Sequence, residues 1–182
     1  MVQLNFPHGE QAALVGQTWA LSFDELHQLR FCFRAEMHER LDGSTKRVIG
    51  CLRDDETALF ALLFISELFE YMPINPSLSD TETSRLVKDS GAETVVLSAG
   101  FLEAKSNVFN ALTIIDWDEL TERALKRLGS EQPLPQVDDT DFEGCLVLHT
   151  SGSTGLPKRV PISISSIEAS AKSARRSRYR SA

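Results

Sequence analysis

Short aliphatic and β-branched runs alternate with capped amphipathic segments through most of this chain, and that alternation restricts it to one fold class. The runs are residues 48–52, 95–97, 112–115 and 145–149. Helical spacing fills the stretches around them. Ser22, with Glu25 three residues later, forms a capping box ahead of Leu26, Leu29, Phe33, Met37 and Leu41. Those spacings predict one face of a helix ending near Asp42 and Gly43. Asp54 or Asp55 is expected to cap a second helix through Leu59, Leu62, Phe64, Ile65, Leu68 and Phe69. It is apolar nearly all round and so should pack on more than one side. Pro73 and Pro76 then exclude helical continuation. Ser79 and Glu82 form another capping box, for a helix closing at Ser90 with Gly91 as its left-handed cap. Asp116 and Glu119 open a fourth helix, with Trp117, Leu120, Ala124, Leu125 and Leu128 on one face and Gly129 at its end. Residues 130–143, with Pro133 and Pro135, read as a loop. Strand followed by helix, several times over and without an internal repeat, predicts an α/β fold with a mainly parallel sheet and flanking helices.

Composition narrows the function classes. The 182 residues suit one domain or one and a half. A formal net charge of −7 argues against a general nucleic-acid binder, which shows a basic excess. Cys32, Cys51 and Cys145 have neither metal-ligand nor redox spacing, and an odd number is a poor disulfide framework. Three reduced thiols in a cytoplasmic protein are the expectation. The start of the chain lacks the basic and apolar regions of a secretory signal. Its longest apolar run, residues 58–65, is eight residues, whereas a membrane span needs about 18–20. Charge is unevenly spread: Lys172, Arg175, Arg176, Arg178 and Arg180 put five of the 19 cations into the last eleven residues.

The stretch that carries chemistry is Leu148-His149-Thr150-Ser151-Gly152-Ser153-Thr154-Gly155-Leu156-Pro157-Lys158-Arg159. Glycines let backbone N–H groups face a ligand with no Cβ in the way. Serine and threonine hydroxyls add donors at short reach, and Lys158 adds positive charge. Such a set suits anionic oxygens; a polar turn is the bland alternative. A Walker loop needs lysine directly after glycine, but Leu156 and Pro157 intervene, and residues 160–162 read as extended. Gly152 and Gly155 match only the last two glycines of a dinucleotide loop, and no nucleophile elbow is present.

Thr-Ser-Gly-Ser-Thr-Gly-x-Pro-Lys closely resembles the phosphate loop of the adenylate-forming enzymes, which include acyl-CoA synthetases, peptide-synthetase adenylation domains and luciferases. Tyr71-Met72-Pro73-Ile74-Asn75-Pro76 and Asp89-Ser90-Gly91-Ala92 also look like that family, and the resemblance runs from about residue 19 to about residue 171. It implies the N-terminal portion of the family's large domain, an incomplete α/β unit over residues 1–171. Residues 172–182 are expected to be a basic tail, disordered or outside the family's pattern. It also implies a reaction: a carboxylate oxygen attacks the α-phosphorus of ATP, pyrophosphate leaves, and the acyl group of the adenylate passes to a thiol of CoA or a carrier protein. Mg²⁺ and loop donors would stabilise the charge growing on pyrophosphate. By match to the motif, Thr150, Ser151, Gly152, Ser153, Thr154 and Gly155 would cradle the phosphates, and Lys158 would be the loop lysine, its bland alternative being a solvated surface charge.

Two departures stand out. Family members usually carry glycine where this chain has Arg159, and many have a Thr-His-x-Asn string where it has Ser163-Ile164-Ser165-Ser166. Arg159 with His149-Thr150-Ser151-Gly152 favours an acyl-CoA ligase over an amino-acid-activating enzyme. The family's magnesium-holding glutamate motif and its adenylation lysine do not occur in these residues, so no catalytic residue is assigned within them, and the 182-residue chain is expected to be inactive alone. The alternative is a non-catalytic truncated paralogue acting as a binding or interaction module. His27 and His38 lie three helical turns apart, about 16 Å, too far to share a metal. His149 is either a packed strand histidine or a neighbour of the bound acid.

Overall fold

The structure is a computed structural model and describes residues 9–15, 20–41, 43–53, 55–102, 104–130, 144–150 and 158–178. It opens with an antiparallel pair, β1 (Ala12–Val15) and β2 (Ala20–Ser22), that the sequence reading did not anticipate. Helix α1 (Phe23–Arg40) follows at the expected cap: Ser22 Oγ accepts from the Glu25 N–H at 3.2 Å, and Glu25 Oε2 accepts from the Ser22 N–H at 2.8 Å. The remaining elements are β3 (Arg47–Cys51), α2 (Asp55–Phe64), β4 (Glu70–Pro73), α3 (Asp80–Ser90) and β5 (Thr94–Leu97). After them come α4 (Ala99–Leu102), α5 (Ser106–Phe109), β6 (Thr113–Asp116), α6 (Trp117–Leu128), β7 (Cys145–Thr150), β8 (Lys158–Ser163) and α7 (Ile164–Arg178).

Six strands form one sheet in the order β6-β5-β3-β4-β7-β8, parallel except for β8, which runs antiparallel to β7. The two faces bury separate clusters, as the twofold periodicity of strands requires. On one face, Val48, Tyr71, Val96 and Ile115 meet Phe33 of α1, Phe64 of α2 and Trp117 and Leu120 of α6. On the other, Ile49, Met72, Val95, Leu97 and Val147 meet Leu86 of α3 and Phe109 of α5. Connections toward β7 run over the first face, through α2 and α6. Those toward β6 run over the second, through α3 and α5. A constant crossover hand requires this exchange of faces when the direction of travel reverses.

Two expectations about the apolar middle of the chain are corrected. Helix α2 ends at Phe64 rather than running through Phe69, and a turn over residues 65–68 leads into β4. Tyr71 and Met72, just ahead of the expected break at Pro73 and Pro76, belong to a strand, β4. They point to opposite faces of a strand held between β3 and β7, with Val48↔Tyr71 and Ile49↔Met72 in register. Local spacing could not separate these choices, because the run is apolar at both helical and strand periods; sheet pairing decided it. Pro73 is tolerated as the last residue of β4, where the next N–H, that of Ile74, bonds Gly50 O at 2.8 Å.

Leu125 was expected on the packed face of α6 but is 46% exposed, and in β7 Val147 is the buried residue while Leu148 and Thr150 are exposed. Among the described residues, only β8 lies beyond β7 in the sheet. The Gly91 cap behaves as expected, at φ 62° and ψ 27°. The backbone does not change character at residue 171: α7 continues through the basic segment to Arg178. Residues 131–143 of the expected loop lie outside the described residues. Helices α1 and α6 are joined by Glu36, nearly buried, whose carboxylate meets Arg40 Nη1 at 2.5 Å and the Nε of Arg127. Burial alone would raise the Glu36 carboxyl, but hydrogen bonds from Arg40 and Arg127 more than offset it and hold the group below its ordinary 4.5.

Candidate phosphate site

The motif sits at a hairpin. β7 and β8 pair residue by residue from Cys145↔Ser163 to Thr150↔Lys158, so the two ends of the motif stand opposite each other at the carboxyl end of β7. Thr150 Oγ1 donates to Lys158 O at 3.5 Å, and both residues are exposed. Among the described residues, Lys158 Nζ forms no ion pair. Ser151, Gly152, Ser153, Thr154 and Gly155 lie outside the described residues. The structure therefore brings together the first and last members of the expected set. It also places them at the carboxyl edge of a parallel sheet, where open α/β sheets bind their ligands.

The elements beneath are set by local sequence. Leu146 and Leu148 face one side of β7, while Cys145, Val147 and His149 face the other, above α3. His149 is half-buried. Burial lowers its pKa, the Arg159 guanidinium opposite lowers it further, and Asp89 works in the other direction. It is thus neutral near pH 7. His38, on α1, is also held below its ordinary value, first by burial and then by Arg34.

These two histidines give a stability prediction. A base held below its ordinary value near 6.5 binds protons more readily in the unfolded chain, so acidification favours unfolding. The melting temperature should fall as pH drops from 7 through 6, above the range where the lowered carboxylates Glu25, Glu36, Glu82 and Glu122 begin to take up protons. His38→Gln should flatten that slope. A melting temperature constant between pH 7.5 and 5.5 in the unaltered chain would contradict it.

Arg159 is the residue whose surroundings the sequence did not disclose. Its Nη1 donates to Asp89 O at 3.4 Å and its Nη2 lies 3.8 Å from Glu70 Oε2. Those partners are 70 and more residues away in sequence, so no local signal could find them. All three thiols are free; burial raises Cys32 and pushes Cys51 up to about 11, leaving both protonated and poor nucleophiles. Among the described residues no group of three or more His, Cys, Asp or Glu side chains could hold a metal ion. Among them, too, no helix is long and apolar enough to cross a membrane.

A family model for AMP-binding enzymes matches residues 56–181, which include the whole motif. The chain belongs to the AMP-binding enzyme family. Similar proteins include nonribosomal peptide synthetase 4 of Gibberella zeae, 26% identical over 132 residues, with 72% of this chain and 2% of that protein covered. Long-chain-fatty-acid–CoA ligase FadD13 of Mycobacterium tuberculosis is 31% identical over 109 residues, covering 56% of this chain and 21% of the ligase. Among solved structures, the fold is shared with o-succinylbenzoate coenzyme A synthetase (MenE) from Bacillus subtilis in complex with AMP. The TM-score is 0.66 at 21% identity, covering 91% of this chain and 42% of that one. The fold class expected from the sequence, a partial α/β unit like the family's N-terminal region, is thus the observed one. The chain spans 4% or less of the first three synthetases it matches and under half of the matched structures.

Proposed function

We propose that these residues form the phosphate-binding portion of an ATP-dependent enzyme that activates a carboxylic acid as its acyl-adenylate and passes it to a thiol. The observation that carries this reading is the hydroxyl and glycine run of an AMP-binding family member, strung between Thr150 and Lys158, which face each other at the carboxyl end of β7. Thr150, Ser151, Gly152, Ser153, Thr154 and Gly155 would supply hydroxyl and N–H donors to the phosphates, and Lys158 the cation. Mg²⁺, bound with ATP, would supply charge neutralisation on the departing pyrophosphate. Free, largely buried thiols support a cytoplasmic setting. The thiol acceptor is that of CoA or of a carrier protein, and residues 1–171 are proposed as the AMP-binding unit.

The deciding experiment is MgATP binding to the 182-residue chain by titration calorimetry. Lys158→Ala should weaken binding about tenfold to a hundredfold, the range for losing a charge-assisted bond to phosphate. Equal affinity in the variant would overturn the reading. Acid-dependent ATP–pyrophosphate exchange by these 182 residues alone should not exceed that of Lys158→Ala, since orientation of acid and nucleotide provides much of such catalysis. Exchange well above that control would show that they suffice.

A further inference from the structure

Arg159 occupies the place where the family usually has glycine, and the phosphate reading gives it no task. Its contacts point elsewhere. The guanidinium reaches across β7, donates to the Asp89 carbonyl in the last turn of α3, and approaches the Glu70 carboxylate on β4. The same Glu70 oxygen accepts from Arg47 Nε on β3 at 2.8 Å. Four elements, β3, β4, α3 and β8, therefore converge on one cluster. A cationic side chain on the terminal carbonyls of α3 also suits the negative end of that helix.

The cluster is not itself an anion pocket. Glu70 already occupies the space between the arginines, and the cavity beside them, lined by Arg47, Glu70, Ser90 and Arg159, measures about 10 Å³, room for no more than one water. Its consequence is mechanical. Among the described residues β8 has one sheet neighbour, β7, and Arg159 adds a second tie on the far side of that neighbour. Lys158 is the adjacent residue. Its Cα stands about 3.8 Å from that of Arg159, and its side chain leaves the opposite face of the strand. Whatever holds Arg159 also holds the backbone of Lys158.

We propose that Arg159 is a positioning residue for Lys158, a latch that fixes β8 against α3 and β4 and so sets where that lysine stands. The proposal rests on the reading of Lys158 as the phosphate cation. Arginine suits the role because its planar fork serves two acceptors at once, whereas the family's glycine can serve neither.

The test uses the 182-residue chain and the variants Arg159→Ala, Arg159→Lys, Glu70→Gln, Lys158→Ala and the Lys158→Ala/Arg159→Ala double. Two readouts are taken: amide hydrogen exchange over residues 158–163 and MgATP affinity. Arg159→Ala should speed that exchange about threefold to tenfold and weaken MgATP by a similar factor, the scale of one partly exposed ion pair and one charged hydrogen bond. Glu70→Gln should move both in the same direction, and Arg159→Lys should recover part of the loss. In the Lys158→Ala background, removing Arg159 should cost no further affinity, because the two act through one group. Unchanged exchange in Arg159→Ala overturns the latch. Losses that multiply in the double variant overturn positioning, since Arg159 would then meet phosphate directly. Faster exchange with MgATP affinity indifferent to Lys158→Ala overturns the positioning role through the phosphate reading, and leaves the latch as a structural tie only.

Discussion

Trp117→Ala is expected to destabilise the chain by about 3–5 kcal/mol, the largest loss from any single truncation considered, because it empties the centre of the first core. Trp117 begins α6 and is fully buried. Its ring lies 5.4 Å from Phe33 of α1, which in turn stacks on Phe64 of α2 at 5.0 Å, so one aromatic column joins three helices. Such a column cannot close over an indole-sized hole when each helix is also held by its strand. The indole Nε1 has no hydrogen-bond partner among the described residues, a cost to the folded chain. Trp117→Phe removes that orphaned donor while keeping most of the ring, so it should cost much less than Trp117→Ala. Thermal and urea unfolding of the two variants checks this. A Trp117→Phe protein as unstable as Trp117→Ala would mean that the indole nitrogen is bonded after all.

Gly144→Ala carries the second large effect, and it reaches the candidate site. Gly144 is buried just ahead of β7. A Cβ there would stand 2.6 Å from Glu67 C and 2.7 Å from Glu67 O, and close to Ser66 O as well. All of these are backbone atoms of the turn over residues 65–68, so no side chain can rotate to make room. The chain must instead move the start of β7, where the Cys145 N–H bonds Phe69 O at 3.1 Å. Overpacking of this kind costs about 1–3 kcal/mol and occasionally more, or some 2–4 °C of melting temperature per kcal/mol at this chain length. Because β7 also ends at Thr150, MgATP affinity should fall with it. Gly43→Ala is the control: nothing lies within 4 Å of its would-be Cβ. If the two variants melt alike, Gly144 is not sterically required.

Much of the fold was legible in the sequence for physical reasons that are local. Ser22 with Glu25 and Ser79 with Glu82 each close a ring of hydrogen bonds within four residues, so both helix starts were readable and both capping boxes are present. Gly91 likewise announces a left-handed cap because few other residues take that conformation cheaply. Strand β4 was not legible. Residues 58–65 are apolar throughout and Leu68, Phe69, Tyr71 and Met72 extend that character past Ser66 and Glu67, so only pairing with β3 and β7 selects a strand from Glu70 onward. The β1–β2 pair and the short helices α4 and α5 also escaped, being too brief to show a period.

The proposed phosphate-binding run is a feature of the sequence alone. Its hydroxyls, glycines and lysine stand in order between Thr150 and Lys158, and donor type and spacing along a single loop are written in one stretch of chain. What only the tertiary structure decided is how that loop is held. Glu70, Asp89 and Arg159 are spread across most of a hundred residues, and nothing in their local patterns predicts that they meet. They meet because α3 returns across the sheet to end beside β4 and β7, which brings a carbonyl and a carboxylate within reach of one guanidinium. Contacts closed over such separations depend on the order of strands in the sheet, and that order is set by the packing of the whole domain.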